Sequence, residues 1–151
     1  MDKKQFHKLY QDAVVTHSQR PRNFHALKKH THSAHGYNPV CGDQITIYVY
    51  VRDNQFRDLS FTGDCCAVCK SSTSIMIDRL ENAKIDEFQN LFEQFERLLH
   101  HQLDPDQNEN SLGPATIFKG IWEYPARIKC ASLGWHTLNA ALNNQPDVTT
   151  E

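Results

Sequence analysis

The chain has 151 residues, 23% of them charged and 39% hydrophobic, with a formal net charge of −2. That length suits one ordinary domain with a real core, so neither a disulfide framework nor long-range disorder is expected. Near-neutral charge with no Lys/Arg patch argues against nucleic-acid binding, and no run approaches the about 18 apolar residues of a membrane span.

In chain order, Phe6, Leu9, Tyr10, Ala13 and Val14 recur at helical spacing and predict an amphipathic helix over about residues 3–18, stopped by Pro21. The polar stretch 25–35 carries His25, His30, His32 and His35 and reads as loop or irregular strand. Ile45, Ile47, Val49 and Val51 then alternate with Thr46, Tyr48 and Tyr50, the period of a strand buried on one face. Asp53-Asn54 supplies turn chemistry, and Phe56, Leu59 and Phe61 lie on a return strand whose broken alternation suggests a bulge. A helix follows over about 66–80. Phe88, Leu91, Phe92, Phe95, Leu98 and Leu99 then draw a strong stripe over 85–101. Residues 102–120 hold Asp, Asn, Pro and Gly and read as a surface excursion. Pro125 suits the first turn of a last helix, and the polar residues from Asn143 onward read as a frayed tail. Helix, short antiparallel sheet and further helices make an α+β fold, a roughly three-stranded meander packed on one face by four to five helices. The expected domain spans 1–143, with 144–151 as tail.

The N-terminus lacks the apolar run of a signal peptide, so the expected location is the cytoplasm, where five cysteines point to metal binding or catalysis. Cys41 precedes the hairpin, Cys65 and Cys66 follow it, and Cys130 is early in the last helix. A hairpin returns its chain to its start, so the first two loops should be neighbours. Three thiolates and the Asp43 carboxylate satisfy a tetrahedral zinc, and thiolates also hold iron–sulfur clusters. A helix N-terminus favours the thiolate, which makes Cys66 and Cys130 chemically well placed. Cys66-x-x-Cys69 admits two readings, a redox dithiol or a small packed residue at Cys69. His30, His32 and His35 read as a solvated loop more readily than as ligands, while His100 and His101 suit a helix C-terminus.

Three blocks carry a family resemblance: Cys41-Gly42-Asp43, the run Gly63-Asp64-Cys65-Cys66-Ala67-Val68-Cys69 with the Ser/Thr-rich turn after it, and Lys129-Cys130-Ala131. With His17 to Asn23 they resemble the IscU/SufU/NifU N-terminal family of iron–sulfur cluster assembly, which implies a SufE/NifU-like fold. Lys129 stands before Cys130 where the IscU branch usually has His, Tyr124-Pro125-Ala126-Arg127-Ile128 replaces its chaperone segment, and 102–120 resembles an insertion of the SufU branch. The likeness to SufU implies zinc held by Cys41, Asp43, Cys66 and Cys130. It also implies Cys41 as sulfur acceptor, freed when a partner histidine replaces it. It implies a partner, a pyridoxal-phosphate cysteine desulfurase of the SufS kind, with sulfurtransferase-like activity in that pairing rather than a stand-alone enzyme. The alternative is a scaffold that builds an iron–sulfur cluster on Cys41, Cys66 and Cys130 and hands it to apo-proteins or other assembly proteins. A plain structural zinc module is the third reading. Cys65 and Cys69 depart from the family pattern, which usually has Gly and a small residue there.

Overall fold

The structure is a computed structural model that describes residues 2–150. Helix α1 (Lys3–Gln19) leads into strands β1 (His32–Asn38), β2 (Asp43–Arg52) and β3 (Gln55–Asp64). Helices α2 (Ala67–Leu80) and α3 (Ile85–Leu99) follow. Two short 3-10 turns, Gly113–Phe118 and Ile121–Glu123, precede helix α4 (Pro125–Leu142) and a last strand, β4 (Asp147–Thr149). The sheet order is β3-β2-β1-β4, antiparallel except for the parallel β1–β4 pair. This is the α+β class read from the pattern, with one strand more at the sheet edge.

Period-2 alternation decides which sheet face is covered. Ile45, Ile47 and Val49 of β2 and Ala34 of β1 are buried, as are Asn38 and Asp43, which end the same face of the two strands. The hairpin turn holds Asp53 and Asn54 both at positive φ, the conformation a two-residue connection needs to match strand twist. The bulge falls on the β2–β3 pairing at Tyr50/Val51. Helix α4 lies against β1 at Gly36, where a Cβ would strike the Thr137 hydroxyl. It meets α2 through Gly134, which faces Thr73. The Ser/Thr run of α2 is buried there: Ser72 donates to the Ala131 carbonyl at 2.6 Å and accepts from the Trp135 ring N–H at 3.1 Å. Each buried hydroxyl is thus satisfied as two helices approach closely. The α3 stripe delivers Phe88 and Phe95 to the core, where both stack on Trp135.

Three segments differ from the sequence reading. Polar residues 32–38 form a full strand, because backbone pairing with β2 overrides the weak pattern of its side chains. The 102–120 excursion is anchored by buried Leu103, Leu112, Ala115 and Phe118, so its polar look hides a packed underside. In the segment read as a frayed tail, β4 pairs with β1, and the Thr150 hydroxyl donates to the Asn38 side-chain oxygen at 3.0 Å. In α1 the stripe is shallow: Tyr10 and Val14 pack on the core, whereas Leu9 is exposed.

Candidate metal centre

The site is built where three chain ends meet. A four-residue turn, 39–42, joins β1 to β2, closed by the Gly42 N–H donating to the Asn38 carbonyl at 2.8 Å. Gly42 sits at φ +74°, the left-handed region that glycine enters without strain, and this turn presents exposed Cys41. The register Gln44↔Asp64 brings the end of β3 beside the start of β2, so Cys65 and Cys66 arrive next to Asp43. The second turn of α4 supplies Cys130 from above.

The ligating atoms of Cys41, Asp43 and Cys130 lie within 4.8 Å of one another. The Cys130 sulfur is 3.2 Å from that of Cys41, and the Cys66 sulfur is 3.8 Å from Asp43 Oδ2. Cys66 thus lies beside Asp43, while the atoms that all lie within 4.8 Å of one another are those of Cys41, Asp43 and Cys130. Asp43 is only 2% exposed and faces no cation among the described residues; its Oδ1 accepts the Cys66 backbone N–H at 2.8 Å and its Oδ2 accepts from Asn38 at 3.2 Å. A buried carboxylate among thiols is costly unless a positive charge joins it. The donor set, three sulfurs and one carboxylate, is one that zinc accepts in four-coordinate form, so the residues present fit that metal.

The thiols differ in acidity. Cys66 is the N-cap of α2, with its sulfur accepting from the Cys69 N–H at 3.4 Å. Its thiol is lowered to about 7, first by hydrogen bonding with Cys130 and then by the backbone N–H groups, against the opposing effects of burial and the Asp43 charge. Cys130 is raised, first because it shares that hydrogen bond with Cys66 and then by burial and by Cys41. One thiolate is thus favoured in the metal-free pair and the second resisted. Cys130 differs here from the sequence expectation. It lies one turn inside α4 and is 3% exposed, so the end of the helix dipole gives it no comparable help.

Asn38 is the residue that sequence reasoning missed. Fully buried, it donates to Asp43 Oδ2 and approaches the Cys130 sulfur at 3.6 Å. Its signal was available only through pairing, since Asn38↔Asp43 is the last rung of the β1–β2 ladder. The histidines lie elsewhere: His25 and His30 bond neighbouring carbonyls, His32 bonds Thr31, and His100 caps α3. Cys69 is fully buried, and its thiol is raised well above its usual value, first by its hydrogen bond with Cys65 and then by burial.

A family model described as NifU-like N terminal domain matches residues 9–131. The chain is 31% identical over 137 residues to the iron–sulfur cluster assembly scaffold protein IscU of Thermotoga maritima, covering 91% of this chain and 94% of that one. It is 28% identical over 130 residues to the zinc-dependent sulfurtransferase SufU of Bacillus subtilis, covering 86% of each. Among solved structures, FiSufU of Fervidobacterium islandicum superposes with a TM-score of 0.82 at 28% identity, over 90% of this chain and 98% of that one.

Proposed function

Since the chain belongs to the NifU-like N-terminal domain family, we propose that it is an iron–sulfur cluster assembly protein that binds zinc and accepts persulfide sulfur from a pyridoxal-phosphate cysteine desulfurase of the SufS kind. The observation that carries the reading is the convergence of Cys41, Cys66 and Cys130 on the buried Asp43 carboxylate. Cys41, Asp43, Cys66 and Cys130 are the proposed zinc ligands. Zinc there lowers thiol pKa values and holds thiolates without redox chemistry of its own.

The residues divide the work by exposure. Cys130 and Asp43 are buried and fix the floor of the site, whereas Cys41 is exposed on a glycine-bearing turn and is the sulfur acceptor. Its thiolate attacks the outer sulfur of the desulfurase persulfide. The new S–S bond forms on Cys41, the partner's S–S bond breaks, and the partner cysteine leaves as thiolate. Asn38 and the Cys66 N–H hold Asp43 in place through this exchange. Val40 and Tyr124 are 55% and 50% exposed on the segments that lead into Cys41 and Cys130, and Tyr37 is 40% exposed on β1. Large apolar side chains left open beside a reactive turn suit a protein partner.

A second reading, a cluster scaffold, is favoured by the scaffold name of the Thermotoga maritima relative. Metal analysis separates the two. On the first reading, protein purified without added metal carries about one zinc per chain, as a closed four-ligand site does. That zinc is lost in Cys41→Ala, Asp43→Ala, Cys66→Ala and Cys130→Ala, and wild type accelerates a SufS-type desulfurase. Iron with labile sulfide on the same residues establishes the scaffold instead. Protein without metal, indifferent to the four substitutions, rejects both.

A further inference from the structure

A cavity of about 440 Å³ opens where the first two turns of α1 face the segment around the two 3-10 turns and the start of α4. Small-molecule sites have volumes of about 300–1,000 Å³ and mostly apolar walls. Here Phe6, Tyr10, Ile117, Ile121 and Tyr124 supply such walls. Their positions are fixed by packing: Tyr10 meets Phe118 edge-on with ring centroids 5.9 Å apart, and the Lys119 ammonium lies 4.4 Å from the centre of the Phe6 ring. Gly120 leaves its side of the cavity bare, since an added Cβ would meet only Phe6 Cε1, at 3.9 Å. Three exposed cations, Lys3, Lys4 and Arg127, border this space with a single carboxylate, that of Glu123. Among the described residues none of the three cations is in an ion pair. An apolar cleft edged by uncompensated cations is complementary to a ligand with an apolar body and a negative head.

We propose that this cavity binds a small monocarboxylate of the fatty-acid class, with its chain against Phe6, Tyr10, Ile117 and Ile121 and its carboxylate at Lys3, Lys4 and Arg127. Charge selects the head. A cationic amphiphile would meet three like charges, and a neutral one would leave them unused. The walls select the body. A peptide laid in the cleft would bring backbone N–H and C=O groups that apolar side chains cannot satisfy, whereas a hydrocarbon chain brings none. Each methylene buried there strengthens binding about fourfold. None of the four proposed metal ligands lines the cavity, so the inference stands apart from the sulfur chemistry and holds whether or not the chain accepts persulfide.

Isothermal titration calorimetry on the full zinc-loaded chain tests this with octanoate and decanoate, below the concentrations at which they form micelles, and with octanol. Decanoate should bind at one site per chain, on the order of fifteenfold more tightly than octanoate, the gain from two further buried methylenes. Octanol, with the same chain as octanoate and a neutral head, should bind about tenfold or more weakly than octanoate. Gly120→Leu fills the cavity from a backbone at φ −94°, which any residue adopts, and should abolish saturable binding while zinc content and the melting temperature stay at wild-type values. Lys3→Gln with Lys4→Gln, both exposed on the first turn of α1, should weaken decanoate about tenfold and leave octanol unchanged. Should Gly120→Leu fail to fold, the lysine variant and the octanol comparison decide the matter. No saturable heat with decanoate, equal affinity for octanoate and octanol, or undiminished decanoate binding in a folded variant overturns the proposal. A short peptide of two leucines and one glutamate that competes and binds more tightly than decanoate overturns it too, and assigns the cavity to a protein partner.

Discussion

The Asp43 carboxylate accepts the backbone N–H of Cys66 at 2.8 Å, across the whole β2–β3 hairpin. This single bond ties the strand that begins at the Cys41 turn to the start of α2, and so sets the spacing of two proposed ligands before any metal arrives. Asp43 therefore has two separable roles, as a charged donor and as a peptide acceptor. Asp43→Asn keeps an oxygen for the Cys66 N–H but loses the charge. It should weaken zinc binding in a chelator competition by tenfold or more, on the order of the 10–100-fold range seen for perturbed metal sites, and should cost the metal-free protein less than Asp43→Ala does, since the Cys66 N–H keeps its acceptor although the new amide N–H meets the Asn38 donor. Asp43→Ala also strands the buried N–H and should lower metal-free stability by about 1–3 kcal/mol in denaturant unfolding. Equal metal-free stability of the two variants would show that the bond carries no structural weight.

The acidities predict how the metal-free protein reacts with pH. Alkylation of Cys66 should rise with a midpoint near its value of about 7, and Cys130 should stay unreactive through the same range. Cys130→Ala removes the hydrogen-bond partner that contributes most to lowering Cys66, so the Cys66 midpoint should move up toward an ordinary thiol. The stability signs are opposite for the two. The folded value of Cys66 is lowered from 9.0, so its contribution is present above about 9 and is lost as pH falls through about 7. The folded value of Cys130 is raised, so its contribution is present below its unfolded value and is lost as pH rises beyond it. Peptide-resolved alkylation from pH 5 to 10 measures the first pair of statements, and an unchanged Cys66 midpoint in Cys130→Ala would contradict the assigned cause.

Periodicity was enough to find the elements that matter most. The Ile45-to-Val51 alternation located the hairpin, and the Phe88-to-Leu99 stripe located α3, because both bury one continuous apolar face. The hairpin alone then implied that Cys41 and Cys66 are neighbours. What stayed illegible depends on partners distant in sequence. Strand β1 has polar side chains and becomes a strand by pairing with β2, β4 exists through three rungs with β1, and the approach of Asn38 to Cys130 spans 92 positions.

Gly63 predicts a second structural dependence of the site. It sits at φ +148° on β3, and an added Cβ would strike the Gln44 carbonyl oxygen and come within 2.8 Å of Ile45 Cα. Both are backbone atoms of β2, with no side chain that can swing aside. Gly63→Ala must therefore shift the strands just where Cys65 and Cys66 leave the sheet. It should cost roughly 1–3 kcal/mol, in the range of local backbone strain, and weaken zinc binding with it. Gly42→Ala is the control, since nothing lies within 4 Å of its Cβ and only the positive φ opposes it. That change should cost about 1 kcal/mol and leave the ligand spacing intact. Thermal unfolding with and without zinc separates the two, and equal metal affinity in Gly63→Ala and wild type would refute the coupling.

Metal removal should loosen the site without unfolding the domain. The core formed by β2, α2, α3 and α4, with Trp135 stacked between Phe88 and Phe95, includes the proposed ligand Cys130 but is built chiefly of apolar side chains away from the site. Far-ultraviolet circular dichroism at room temperature should therefore be almost unchanged after chelation. Binding to the folded state alone still raises stability, by about 4 kcal/mol when free zinc exceeds its dissociation constant a thousandfold, so the melting temperature should fall clearly when zinc is withdrawn. Locally, the metal-free site keeps the Asp43–Cys66 and Gly42–Asn38 hydrogen bonds, but among the described residues no cation pairs with the buried Asp43 carboxylate. Hydrogen exchange should accordingly rise at residues 39–43 and 64–67 and stay low in α3 and in the middle of α4. Collapse of the whole spectrum on chelation would mean instead that the metal is a condition of folding, as in a zinc finger, and that the core described here does not stand alone.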